Sequence, residues 1–108
     1  MKQGDFVSVA AQGDLGKPSL ALVIQSDQFS DHATLAVLPV TGTLVAAPLL
    51  RINTEPSIEN GLQRPSQIMV DKPFTLKRDK IGPVFGRINR AQMTEVERCL
   101  AIFVGIAK

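Results

Sequence analysis

Apolar and polar positions alternate along the first two thirds of the chain, and the period changes only near its end. From Asp5 to Ala10, Phe6, Ser8 and Ala10 point to one face and Val7 and Val9 to the other, which predicts a first strand. Leu20 to Gln25 is continuously apolar until its last position, as in a strand covered on both faces. Thr34 to Val40 predicts a third strand ending at Thr41-Gly42-Thr43, Leu49 to Asn53 a fourth, and Gln67 to Val70 a short fifth that delivers Asp71 at its C-terminal end. Gln12 to Gly16, with two glycines, and Ser30-Asp31-His32 read as turns. Thr54 to Ser66, interrupted by Pro56, Gly61 and Pro65, reads as a long polar loop.

In the last segment Met93, Val96, Cys99, Leu100 and Phe103 recur at spacings of three and four, the apolar stripe of a helix. Asn89 is placed as its N-cap with Gln92 at the third helical position, the pattern of a capping box, and Gly105 can stop it. The expectation is a mainly β domain spanning residues 1–108, a small antiparallel barrel or curled sheet closed by a C-terminal helix.

Composition narrows the chemistry. The chain is 44% hydrophobic and 20% charged over 108 residues, values of a globular domain with one core. No apolar run is long enough to span a bilayer and no signal segment is visible, so no membrane association is expected. The lone cysteine, Cys99, forms no intrachain disulfide, and the expected address is the cytoplasm. His32 and Cys99 are each single, which leaves a zinc site of His and Cys ligands without enough members. No glycine pattern matches a phosphate loop. Residues 64 to 90 hold seven basic side chains against two acidic ones, so this segment is locally basic in a chain of net charge +2. A basic surface suits an anionic partner such as nucleic acid.

What remains is a group of polar residues at strand ends: Lys17, Ser26, Thr41, Asp71 and Lys72. Pro18 cannot donate to a ladder and belongs at a strand start, which places Lys17 at the mouth of the second strand. A cation, a hydroxyl donor and a carboxylate are the groups that phosphodiester cleavage calls for.

Read together, Lys2-Gln3-Gly4-Asp5-Phe6-Val7, Lys17-Pro18 with the strand after it, Leu38-Pro39-Val40-Thr41, Ser66 to Pro73, and Ile81 to Ile88 with the helix that follows resemble the MazF/PemK (Kid) family of bacterial toxin endoribonucleases over nearly the whole chain. The resemblance implies an SH3-like barrel, a homodimer, a cognate antitoxin as protein partner, and cleavage of single-stranded RNA that needs no cofactor or metal, the ribose 2′-OH serving as nucleophile. It implies catalytic roles for Lys17, Thr41 and Asp71, and RNA contacts by Gln12, Ser26, Gln67, Lys72 and Arg78. The chain departs from the pattern at Lys17, where the family usually has arginine, and at Met69 and Phe74, where basic residues fall in the family. Lysine keeps the charge but not the planar two-pronged contact with phosphate. Two other readings follow from the same fold: a toxin with a protein target, as in the CcdB gyrase poisons, for which Phe103-Val104-Gly105-Ile106 provides an apolar tail, and an inactive module that only binds RNA or antitoxin.

Overall fold

A computed structural model describes residues 1–10 and 19–107; the expected turn at Gln12 to Gly16, with Gln12 and Lys17, lies outside the described residues. Seven strands, β1 (Asp5–Val9), β2 (Ser19–Val23), β3 (Thr34–Thr41), β4 (Arg51–Thr54), β5 (Ser66–Met69), β6 (Phe74–Lys77) and β7 (Ile81–Arg87), precede one helix, α1 (Arg90–Phe103). All pairings are antiparallel, in the order β4-β5-β3-β2-β1-β7, with β6 also on β3.

The long third strand organises the sheet. One of its edges pairs with β2, and the other carries β6 at Thr34 to Val37 and β5 at Val40 and Thr41. Both faces of the central strands are covered, as the unbroken apolar run of β2 foretold. Phe6, Leu22, Leu38, Ile52, Leu62, Ile68 and Val70 pack with Ile88, Val96 and Cys99 on the helix side. Val7, Val9, Ala21, Val23, Leu35, Val37 and Leu76 form a second cluster on the opposite face. The period-two alternation along β1, β2 and β3 assigns successive residues to these two clusters in turn.

The sheet curls without closing into a hydrogen-bonded barrel, since β4 and β7 end the path unpaired with each other. The 55–65 loop spans the gap instead, and the amide of Arg87 donates to the Glu59 carbonyl at 2.8 Å. Two glycines permit this crossing. Gly61 has φ +68°, and a Cβ on Gly86 would collide with the Asn60 backbone.

The sequence reading misses β6 and β7. Pro83 and two glycines in β7 mask its pattern, and an edge strand tolerates them because one row of its amides needs no ladder partner. The helix agrees closely with expectation: Asn89 Oδ1 accepts from the Gln92 amide at 2.8 Å. The reciprocal half of the capping box does not form. Gln92 instead donates through Nε2 to the Asn53 carbonyl at 3.0 Å, tying α1 to β4. Gly105, at φ +84°, ends the helix while Ile106 N–H bonds Ala101 O and Gly105 N–H bonds Ile102 O, a Schellman motif. Phe103 is 45% exposed rather than buried, being the last helical residue and already beyond the edge of the core.

Candidate phosphate-binding cleft

At the end of β3 an open cleft of roughly 800 Å³ is lined by Ser19, Thr41, Gly42, Gln63, Arg64 and Phe85 among others. Ser19 begins β2, Thr41 ends β3, and Gln63 and Arg64 come from the loop that bridges the sheet's gap. Three kinds of backbone therefore meet there, and each is held by the fold.

Among the described residues, Thr41 is the one assigned a catalytic role from the sequence that lies in this cleft. Its Oγ1 accepts the Thr43 amide at 3.0 Å, which occupies a lone pair and leaves the hydroxyl proton to donate outward. Lys17 and Gln12 lie outside the described residues, Ser19 being the first residue described after them. Asp71 stands apart from Thr41. Thr41 pairs with Gln67, and Asp71 follows four residues later, in the link between the end of β5 and the start of β6. Asp71 is partly buried, its Oδ1 has no hydrogen-bond partner, and its Oδ2 faces Lys72 Nζ at 3.9 Å.

Of the remaining expected RNA contacts, Gln67 and Arg78 are taken up by the fold, Ser26 does not line the cleft, and Lys72 is exposed beside Asp71. Gln67 is 3% exposed; its Oε1 accepts from Val45 N, and its Nε2 donates to Val45 O and Asn53 Oδ1. Both Nε2 protons are therefore spent, and none is left to donate to a base or a phosphate. The side chain clasps the segment after β3 to β5 and β4. Ser26 caps a short 3-10 turn by accepting from Gln28 N, beyond the opposite end of β2 from Ser19. Arg78 donates to the Ser30 and His32 carbonyls, both at 2.6 Å, and so pins the turn at 30–32 rather than facing the cleft. Sequence patterning could not show this, because a residue at a strand end reads the same whether its polar atoms are free or spent.

The cleft's own cation was missed. Arg64 sits in a segment with turn residues and no periodicity, and only its membership of the basic stretch marked it. Its guanidinium lies over Gly42, where Nε, Cζ and Nη2 come within 2.7 to 3.2 Å of the place a Cβ would occupy. Gly42 thus makes room for that stacking.

Resolved titration shifts fall on α1. The hydrogen bond from Arg98 lowers the Glu95 carboxyl, and the same bond raises Arg98. Burial raises the Cys99 thiol above its ordinary 9.0, with the neighbouring Glu95 charge acting in the same direction. A buried thiol of this kind is a core side chain rather than a nucleophile.

Fold and cleft together define a small mainly β domain with a terminal helix and an open, cation-bearing site at a strand end. Solved structures of toxins share that architecture. An endoribonuclease in complex with its cognate antitoxin from a mycobacterial species has a TM-score of 0.81, at 22% identity over 100% of this chain and 98% of that one. The MazE-MazF complex of Deinococcus radiodurans has a TM-score of 0.80, at 16% identity over 99% and 97%. A chain described as a probable endoribonuclease MazF, from Mycolicibacterium smegmatis, is 40% identical over 108 residues and 99% of both chains. Residues 2–104 match the family of PemK-like, MazF-like toxins of type II toxin–antitoxin systems, and the chain belongs to that family.

Proposed function

We propose that the chain is the toxin of a type II pair and an endoribonuclease that cuts single-stranded RNA by attack of a ribose 2′-OH on the adjacent phosphate. The observation that carries this reading is the placement of Thr41, with one lone pair taken by an internal amide and its proton free, in an open cleft at a strand end. In this chemistry the substrate supplies the nucleophile, and the protein has to orient the phosphate and stabilise charge on its oxygens. Thr41 donates to a phosphate oxygen, and Lys17, two residues before Ser19, is the cation assigned to the same group.

Asp71 is the base or orienting group of the same reading, although it does not line the cleft that holds Thr41. The homodimer, the antitoxin that masks the RNA site, and action in the cytoplasm belong to the same reading. No helix among the described residues is long and apolar enough to cross a membrane. The apolar tail leaves Ile106 82% exposed, but family membership favours the ribonuclease over a gyrase poison.

Purified protein incubated with long RNA and a chelator should yield fragments ending in a 2′,3′-cyclic phosphate. A 2′-deoxy substitution at the cut should stop cleavage, and Thr41→Val should lower kcat by about 10²-fold or more. Intact RNA at high protein concentration would overturn the enzymatic reading, leaving a module that only binds.

A further inference from the structure

We propose that Arg64 is the phosphate-binding arginine of the Thr41 cleft, holding the RNA phosphate to which the Thr41 hydroxyl donates; this rests on the reading of that cleft as the RNA site. Among the described residues that line the cleft, Arg64 is the one that carries a charge, and no described carboxylate lines the cleft beside it. The other arginines with assigned contacts are committed: Arg87 to Asp5, Arg98 to Glu95, and Arg78 to two carbonyls. None of the described side-chain contacts engages the Arg64 guanidinium beyond its stacking on Gly42.

The position is preorganised from both sides. Asn60, 5% exposed, accepts from Ser57 N and Leu62 N and donates to Glu55 O, which locks the turn before Arg64. After Arg64, Pro65 restricts the backbone to extended conformations, and Ser66 Oγ donates to the Arg64 carbonyl at 2.9 Å. The same loop is anchored to β7 through Glu59 and Arg87. The planar guanidinium lies against Gly42, the residue after Thr41, and lines the same cleft as the Thr41 side chain. That fork suits a phosphodiester's two non-bridging oxygens better than an ammonium does. Arg64 is therefore assigned to the substrate and not to the fold.

The test compares Arg64→Ala, Arg64→Lys and, as a distant basic control on β6, Lys77→Ala. Expected are a fall of about 10²-fold in kcat/KM for Arg64→Ala and a smaller fall for Arg64→Lys. Lys77→Ala should stay within about threefold of wild type. Binding of an uncleavable 2′-deoxy-substituted RNA should weaken for Arg64→Ala, with its log-log salt slope reduced by about 0.7. The melting temperatures should match, because the side chain holds nothing together. Cleavage by Arg64→Ala within about threefold of wild type overturns the proposal, as does Arg64→Lys if the alanine variant fails to fold and the lysine variant is fully active. If the wild type cuts no RNA, the ribonuclease reading falls by itself; Arg64 is then judged by the binding arm, where an unchanged affinity and slope overturn it.

Discussion

Replacing Asn60 by alanine should loosen the loop that bridges the open side of the sheet, and the cost can be worked from its bonds. The side chain satisfies three backbone groups: the Leu62 amide at 2.9 Å, the Ser57 amide at 2.9 Å and the Glu55 carbonyl at 2.8 Å. The bond to Leu62 is buried, so that amide loses its partner without gaining water, at about 1–3 kcal/mol. The other two are part-buried and become hydrated, at about 0.5–1 kcal/mol each. A total of about 2–5 kcal/mol follows, a large share of the 5–15 kcal/mol typical of a domain. Urea unfolding at fixed protein concentration should show the midpoint lowered by roughly 1–3 M at unchanged slope. Asn60→Asp sharpens the test. It keeps Oδ1 as the acceptor of both amides and loses only the donation to the Glu55 carbonyl, so a stability loss that persists in this variant belongs to that one bond. A loss below about 0.5 kcal/mol for Asn60→Ala would refute the idea that this amide is the lock of the loop.

Three further outcomes follow from the same geometry. Gly86→Ala forces a methyl into the Asn60 backbone and should cost more than about 2 kcal/mol or detach the 55–65 loop, read as a lowered melting temperature. Gln67→Ala should lower stability by about 2–3 kcal/mol, leaving the Val45 amide and carbonyl and Asn53 without their partner; a variant of wild-type stability with weakened RNA binding would reinstate Gln67 as a direct contact. Cys99, 1% exposed, should react with a thiol reagent only as fast as the protein opens, and a burst of modification of the native protein would contradict its burial. Because its folded-state pKa is raised, the unfolded chain releases the thiol proton first. The contribution of Cys99 is therefore full below pH about 8.5 and declines above it, a decline that Cys99→Ala removes.

Much of the fold was legible in the chain because side-chain period and burial are the same physical fact. The apolar residues of β1, β2 and β3 were legible because both faces of these strands meet a core. The N-cap at Asn89 and the stop at Gly105 are local geometries that need no partner from elsewhere. β7 was not legible, since its glycine and proline are permitted by its place at an edge, and that place is a property of the whole sheet.

The candidate site divides along the same line. Residue types suited to phosphodiester chemistry, and the motifs that mark the toxin family, are present in sequence order, and Thr41 could be named from them. Which polar groups are free could not. Gln67 and Arg78 carry suitable chemistry, yet groups distant in sequence consume it, across 22 residues for Gln67 and across 46 and 48 for Arg78. Arg64 has no pattern of its own, and it enters the cleft only because a loop crosses an unclosed sheet and stacks it on Gly42. The sequence by itself determined the strands, the helix, the family and the kind of chemistry, since those depend on near neighbours and on residue identity. The tertiary structure alone decided which hydroxyls, amides and cations face a substrate, since a hydrogen-bonding group is available only when nothing folded against it has already taken its place.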